Sequence, residues 1–230
     1  MTRASPAWPV VELRQYTLHP GRRDALVELF EREFIEPQEA CGMRLFGQFR
    51  DLDDPDRFVW LRGFADMERR AAALGAFYGG PVWKAHRDAA NATMVDSDDV
   101  LLLRPLRTDG GFALDDALRG PIGTTPARAR LVVALVWAMP RDAEPAGRLE
   151  RDVAAWVARI EAAPLAAFVS EHAANTFPAL PVRESEHVVV YFAAFDDDAH
   201  WLRHRDGLAA FAPEPLQVLR LAPTARSLVR

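Results

Sequence analysis

Apolar runs and amphipathic segments follow one another along the first half of the chain in the order strand, helix, strand, strand, helix, strand. Apolar and polar positions alternate over Val10–Leu18, which predicts a strand. The helix after it has an apolar stripe that recurs every three to four residues. Strands predicted at Met43–Phe49 and Arg57–Phe64 flank an Asp- and Pro-rich turn. With a last strand at Val100–Leu103, the pattern predicts one β-α-β-β-α-β unit, the ferredoxin-like motif.

The helical segment between the third and fourth strands carries its own start and stop signals. Asp66 can cap its first turn, because a carboxylate accepts hydrogen bonds from the free N–H groups there. Gly79 and Gly80 should end that helix. Pro81 then suits the first turn of a new helix, where its missing N–H has no partner to lose. The segment is therefore predicted to be two helices.

The same order of elements returns in the second half of the chain. Between the halves, Thr108–Arg130 is rich in Gly, Pro and Thr and has no clear period, which indicates a linker. We therefore expect a first unit at 1–107, a linker at 108–130 and a diverged second unit at 131–230. The second unit has predicted strands at Leu131–Met139, Leu165–Val169, His187–Phe195 and Leu216–Leu221, with helices at 146–162 and 196–208.

Two such units predict an α+β fold in which a pair of four-stranded sheets closes into a barrel. Each sheet would carry helices on one face only, and an uncovered second face would be an exposed apolar patch. Bringing those faces together forms a pseudo-dimer within one chain. Three cavities are then conceivable: the barrel interior and the space between each sheet and its helices.

Composition narrows the class of protein. Half of the residues are hydrophobic and 27% are charged with mixed sign, which supports a substantial core. The net charge of −5 argues against a nucleic-acid partner. We expect no membrane span and no secretory signal, because no apolar run is long enough. Cys41 is the single cysteine, which predicts a reducing, cytoplasmic location and a small buried side chain.

Polar residues interrupt two of the predicted strands. Arg14 and Tyr16 follow Glu12 on one face of the first strand, two residues apart. Arg14 could orient an anionic group and Tyr16 could donate a hydrogen bond, or all three could form a structural ion-pair cluster. On the third strand, Trp60 and Arg62 share a face, so Arg62 is either an anion clamp or a solvated charge.

His86 is the candidate proton carrier, since the pKa of histidine lies near neutrality. A helix that starts at Pro81 places His86 among small and apolar positions, which predicts that it faces inward. A core histidine bound to a backbone carbonyl is the alternative. Tyr78 and Trp83 flank the Gly-Gly-Pro break and could wall an aromatic pocket or serve as packing.

The second unit offers weaker signals. His200 and His204 have a spacing that can chelate a metal, but no third ligand accompanies them, so we expect exposed histidines and no metal site. Asn175 opens a long loop that is stiff and apolar, which suggests a lid or a partner-binding edge. The chain has no GxSxG, P-loop or GxGxxG motif.

Several stretches of the first unit resemble the NIPSNAP family, a branch of the dimeric α/β-barrel superfamily. The resemblance implies the tandem ferredoxin-like fold and brings no agreed catalytic motif. The wider superfamily includes cofactor-free monooxygenases, haem-dependent members, isomerases, cyclases and ligand sensors. In the second unit, NTFPALPVRESEHVVVYF (175–192) looks like the C-terminal repeat of bacterial members. The matching stretches of the first unit are VELRQYTLHPGRRDAL (11–26), MRLFGQF (43–49), VWLRGFADMERRAAALGAFYGGPVWKAH (59–86) and DDVLLLRPL (98–106).

The leading hypothesis is a cofactor-free small-molecule enzyme of monooxygenase, isomerase or cyclase type, which is expected to form a homo-oligomer. Its apolar or aromatic substrate would lie between sheet and helices. His86 would move the proton, and Arg14 or Arg62 would stabilise an enolate or carboxylate. Trp60, Tyr78, Trp83, Tyr16 and Asn175 would bind the substrate. A non-enzymatic scaffold and a haem protein with His86 as axial ligand are the alternatives.

Overall fold

A computed structural model describes residues 8–108, 110–125 and 130–230. Predictions on the first seven residues and on parts of the linker, residues 109 and 126–129, lie outside the described residues. Within the described ranges the chain forms a closed antiparallel barrel. Its strands are β1 (Val10–Leu18), β2 (Arg44–Asp51), β3 (Arg57–Phe64), β4 (Met94–Pro105), β5 (Leu131–Ala138), β6 (Ala163–Ser170), β7 (Val188–Phe195) and β8 (Gln217–Pro223).

The described helices lie outside the barrel. Asp66 caps α3 as predicted, because its Oδ1 accepts a hydrogen bond from Arg69 N at 2.6 Å. The predicted break is also confirmed: α3 ends at Gly79 and α4 starts at Pro81. The helices are α1 (Arg23–Glu33), α2 (Ile35–Ala40), α3 (Met67–Gly79), α4 (Pro81–Asn91), α5 (Ala143–Arg159) and α6 (Asp198–His204).

The strand order keeps each half of the chain together. Around the barrel it is β1-β3-β2-β8-β5-β7-β6-β4, and β4 closes the ring onto β1. The first half therefore supplies the adjacent strands β4-β1-β3-β2, and the second half supplies β6-β7-β5-β8. Short pairings of β2 with β8 and of β4 with β6 join the two halves.

The two largest differences from the predicted boundaries are at the start of β4 and at the end of α6. β4 starts at Met94, six residues before the predicted Val100, because Thr17 and Leu18 of β1 still pair with this polar, exposed stretch. In the second half of the chain, α6 ends at His204 and a 3₁₀ turn, Arg205–Ala210, replaces the rest of the predicted helix. Apolar periodicity in a sequence reveals elements that have a continuous buried face. Neither of these segments has such a face, so their boundaries were not predicted.

Side chains of the described residues fill the barrel interior. Aliphatic and aromatic residues from all eight strands form one buried cluster there, with Phe168 and Phe192 among the largest members. Gln15 and Gln217 face each other in the same barrel and exchange two amide hydrogen bonds of 3.0 and 2.8 Å. Eight strands enclose just enough space for such a core.

Helices cover the outer face of each half-sheet. On the second half, α5 and α6 bury an apolar cluster that includes Trp137, Trp156 and Trp201. On the first half, the corresponding layer mixes aromatic side chains with buried arginines. No helix among the described residues has the length and apolar character needed to cross a membrane.

Candidate functional site

Glu12 is the centre of a buried ion-pair cluster on the outer face of β1 and β3. Its Oε2 accepts hydrogen bonds from Arg14 Nη1 and Arg62 Nε, each at 2.8 Å, and its Oε1 accepts one from Arg70 Nε of α3 at 2.7 Å. All four side chains are 0% exposed. Three guanidinium groups thus share one carboxylate, which leaves two positive charges uncompensated inside the protein.

The cluster shifts the pKa values of its members. Burial alone would raise the pKa of the Glu12 carboxyl, but Arg62, Arg14 and Arg70 hold it well below its usual range. Burial lowers the pKa of Arg70, and the charges of Arg62 and Arg14 lower it further against the attraction of Glu12. Glu12 is therefore an ionised anchor for the arginines and a poor general base.

The arginines differ in how fully they are bonded. Every nitrogen of the Arg14 guanidinium has an acceptor: Tyr16 Oη, Glu12 and the backbone oxygen of Ser97. In contrast, Nη2 of Arg62 and Nη2 of Arg70 are buried and have no hydrogen-bond partner among the described residues. These two NH2 groups are the nitrogens of the cluster that lack an acceptor among the described residues.

A small cavity lies next to Arg62, between the first half-sheet and helices α1, α3 and α4. Its volume is about 30 Å³, room for roughly one water molecule. Three of its lining residues contact Arg62: Arg62 Nη1 donates to Gln38 Oε1 at 3.1 Å and to Tyr78 Oη at 3.4 Å, and its guanidinium lies 5.0 Å from the Trp60 ring. The other lining residues are Tyr16, Leu26, Phe30, Phe34, Phe77, Trp83, Ala90 and Met94.

The loop 171–187 of the second half closes over this region. Asn175 Oδ1 accepts a hydrogen bond from Arg70 Nη1 at 2.9 Å. Phe177 stacks on Tyr78, with ring centroids 6.1 Å apart. Near the other end of the loop, Arg183 pairs with Asp99 of β4 at 3.0 Å. The long loop of one half therefore covers the buried arginines of the other half.

The predicted binding residues come together, whereas His86 lies apart. Tyr16, Trp60, Tyr78 and Trp83 all line the cavity. The expectation that His86 faces inward is wrong: its side chain is 32% exposed, and its Nε2 lies 3.4 Å from Glu33 Oε2. Its ring meets the cavity wall at Phe34, with ring centroids 6.3 Å apart. On α4 it is Ala90, not Ala89, that is buried, so the helix is rotated relative to the prediction.

Two other sequence expectations need correction. His200, expected to be exposed, is buried, and its Nε2 bonds to the carbonyl oxygen of Ile160 at 2.7 Å. Its hydrogen bond satisfies a backbone carbonyl group at the C-terminal end of α5. Cys41 is only partly buried at the end of α2. The described residues contain no group of three or more potential metal ligands.

Larger concave surfaces lie elsewhere and lack this chemistry. A groove of about 540 Å³ runs between α5 and the segment 210–213, and one of about 520 Å³ runs between α1 and the segment 122–124. Both are open to solvent, and neither is lined by a member of the Glu12 cluster. We therefore place the candidate site at the small aromatic cavity, where buried charge and aromatic rings meet.

The sequence reading missed Arg70 and Gln38. In the sequence, Arg70 belongs to a run of charged residues, MERR, which is typical of a solvated helix start. Its position relative to Ala73, Leu74 and Phe77 does place it on the buried stripe of α3, and that spacing was the available signal. Gln38 gave no such signal, because α2 is a short helix between a break and a turn.

Residues 11–108 match the model of the NIPSNAP family, which confirms the resemblance for that segment. Among solved structures, an anthrone oxidase-like protein is 16% identical with a TM-score of 0.58, covering 98% of each chain. A protein of Fusobacterium nucleatum subsp. nucleatum, described provisionally as a monooxygenase, is 10% identical with a TM-score of 0.57, covering 95% of this chain and 93% of that one. These two likenesses show the fold.

A NIPSNAP-like domain protein of Burkholderia xenovorans is 28% identical over 42% of this chain and 84% of its own, with a TM-score of 0.39. No curated protein matches the sequence.

Proposed function

Starting from a first half that matches the NIPSNAP family, we propose that the chain is a cofactor-free small-molecule enzyme whose substrate is apolar or aromatic. One observation carries the proposal: a cavity walled by Trp60, Tyr78 and Trp83 has the buried guanidinium of Arg62 in contact with its lining. Aromatic walls around a few converging polar groups are typical of ligand sites. The names of two similar folds, an anthrone oxidase-like protein and a provisional monooxygenase, favour oxidation by O₂.

We also propose that the chain contains two copies of one ferredoxin-like unit, which contribute different parts of the site. The units are 1–107 and 131–230, joined by the linker 108–130. The strand orders β4-β1-β3-β2 and β6-β7-β5-β8 support this duplication, because both place the first and third strands of a unit at its centre. The first unit holds the buried arginines, and the second contributes the loop 171–187 above them.

The reaction needs no reductant if the substrate is an anthrone-type ketone. The CH₂ carbon opposite the carbonyl becomes a second carbonyl, O₂ supplies its oxygen atom, and the other oxygen leaves as water with the two hydrogens. The four electrons lost by carbon reduce O₂ completely. Loss of one proton gives an enolate that can react with O₂ directly, so the protein has to bind, orient and ionise the ketone.

Each residue of the site has a role in that sequence. Arg62 stabilises the developing enolate oxygen, because a preorganised guanidinium in a dry site favours negative charge there. Trp60, Tyr78 and Trp83 hold the aromatic rings of the substrate. Arg14 donates to Tyr16 and lies over Trp60, so it keeps both of these lining side chains in place. His86 pairs with Glu33 and is separated from the cavity by Phe34, so it receives the proton through an intervening water rather than by direct contact. Because the cavity holds about 30 Å³, substrate entry requires Phe177 and the loop 171–187 to move.

We expect the protein to accelerate O₂ uptake with anthrone as the probe, measured with an oxygen electrode in buffer containing EDTA. Arg62→Met should lower turnover by roughly 10²- to 10³-fold, the effect of losing one preorganised charge-stabilising donor. Arg107→Met is the matched control, because Arg107 is exposed and its partner among the described residues is Glu150 of α5. Circular dichroism checks that each variant is folded.

Equal turnover in Arg62→Met and the unaltered protein would contradict the role given to Arg62. Uptake no faster than the uncatalysed reaction would contradict the enzyme proposal. In that case the second candidate, a non-enzymatic binding or scaffold protein, is favoured. It has its own supporting observation, the nearly filled interior around a cavity of only about 30 Å³. A haem site at His86 has less support, because Glu33 already pairs with its Nε2. Assembly into a homo-oligomer stays a prediction.

A further inference from the structure

Among the described residues, the buried cluster around Glu12 has more positive than negative charge. Arg14, Arg62 and Arg70 surround one carboxylate, and all four side chains are fully buried. An uncompensated charge in a low-dielectric interior is costly unless a counter-charge or hydrogen bonds offset it. Rings offset part of this cost, since Arg62 lies over Trp60 and Phe64 at 5.0 and 5.6 Å.

Some hydrogen-bond donors of this cluster also lack acceptors. Nη2 of Arg62 and Nη2 of Arg70 are buried donors without a partner in the described part of the chain. A buried donor that stays unbonded costs free energy, so such groups mark a position where an acceptor belongs. A carboxylate beside Arg62 would supply an acceptor for its Nη2 and one of the two missing negative charges.

Arg62 lies beside the cavity, so a ligand that supplies the acceptor would extend into the cavity. Gln38, Tyr78 and Trp60 each contact Arg62 and each line the cavity. A ligand whose anionic end reaches Arg62 would therefore have its apolar body among aromatic rings. Neither arginine lines the cavity itself: Arg62 lies directly behind three of the lining residues, and Arg70 lies farther along, bonded to Asn175 of the loop 171–187.

We infer that the ligand of this site is an aromatic or alicyclic anion, with a carboxylate or enolate oxygen bound by Arg62 and supported by the charge of Arg70. This inference rests on the proposed function for the location of the site and goes beyond it in the class of ligand. A neutral apolar molecule would fill the aromatic part and leave the buried charges as they are. Arg14 is excluded as the contact because all of its nitrogens are already bonded.

The test compares 2-naphthoate with 2-naphthamide, which match in shape and differ in charge, by isothermal titration calorimetry at pH 7. The acid should bind roughly ten- to a hundredfold more tightly than the amide, the effect of charge-assisted hydrogen bonds. Arg62→Met should remove most of that preference, and Arg70→Met should reduce it less. Arg107→Met, at an exposed arginine, should leave it unchanged. Either site variant removes one of the surplus positive charges, so we expect both to fold.

The outcomes separate this inference from the enzyme proposal. Tight naphthoate binding that depends on Arg62, without any turnover of anthrone, would support the anion site and contradict the enzyme. Turnover of anthrone with equal affinity for acid and amide would support the enzyme and overturn the anion site. A further experiment compares the melting temperature of the protein in chloride buffer and in fluoride buffer. If chloride alone raises the melting temperature and naphthoate does not bind, a structural inorganic ion occupies the cluster and the inference is overturned.

Discussion

Replacing Glu12 by glutamine is expected to lower the free energy of unfolding by about 3–5 kcal/mol, the cost of removing one partner from a buried charge network. Glu12 is the only carboxylate that the structure places in contact with Arg14, Arg62 and Arg70. Without its charge, three buried guanidinium groups repel one another. Urea unfolding at pH 7 measures the effect, with Glu28→Gln as control, because Glu28 is 77% exposed and pairs with Arg32 on the surface of α1.

The same variant should change how stability depends on pH. The pKa of Glu12 is lowered in the folded protein, so its contribution is fully present above the unfolded value of about 4.3. That contribution is lost as the pH falls from this value toward the folded pKa. The difference between the unaltered protein and Glu12→Gln should therefore be constant from pH 7 to 5 and shrink below about pH 4. In the double variant Glu12→Gln/Arg70→Met the loss should be smaller than the sum of the single losses, because one repulsive charge is gone.

A glutamine variant as stable as the unaltered protein at pH 7 would mean that solvent or another group already neutralises the arginines. The description of a buried cluster with surplus positive charge would then be incorrect.

Phe192→Ala is expected to lower the free energy of unfolding by about 3–5 kcal/mol, the usual loss for an aromatic core residue. Phe192 is 0% exposed in the barrel interior, where its ring packs on Phe112 and Phe168 at 5.1 and 5.9 Å. Leu216→Ala is the control, since Leu216 is 62% exposed. The measurement is again urea unfolding, monitored by tryptophan fluorescence and by circular dichroism.

This variant also separates the two places where a ligand could bind. If the barrel interior is only a core, any folded fraction of Phe192→Ala should bind 2-naphthoate as the unaltered protein does. A change in stability below about 1 kcal/mol, well under the range for aromatic core residues, together with altered binding would indicate a ligand cavity inside the barrel.

The fold was predictable from the sequence because its elements carry strong local signals. The bounds of β1 and β3 match the prediction to the residue, because apolar alternation marks β1 and a short apolar run between turn residues marks β3. The Gly80-Pro81 break and the Asp66 cap were also read correctly, because each depends on the backbone chemistry of one or two residues. The start of β4 was missed, because a polar exposed strand end has no pattern of its own.

The site was predictable only in part. Two-residue spacing correctly placed Glu12, Arg14 and Tyr16 on one face, and the structure gives that face to the helix layer. The sequence could not show that Arg70 of α3 joins them, because that contact depends on how the helix docks on the sheet. The error over His86 has the same origin: the rotation of α4 is fixed by packing of Trp83 and Ala90, not by the helix pattern alone.

The loop 171–187 illustrates a second limit. Its length and apolar content suggested either a lid or a partner-binding edge. The sequence cannot show which half of the chain this loop covers. The loop follows β6, and the pairing of β6 with β4 brings it next to the first half. Asn175 therefore reaches Arg70 from 105 residues away along the chain.

The central claim is that ligands bind between the first half-sheet and its helices, with an anionic end on Arg62. A crystal structure of the protein with bound 2-naphthoate tests it most directly. The account predicts the carboxylate within hydrogen-bond distance of Arg62 Nη2, the rings against Trp60 and Trp83, and a displaced Phe177. Naphthoate found in the barrel interior, or in the groove beside α5, with the Glu12 cluster unchanged, would contradict it.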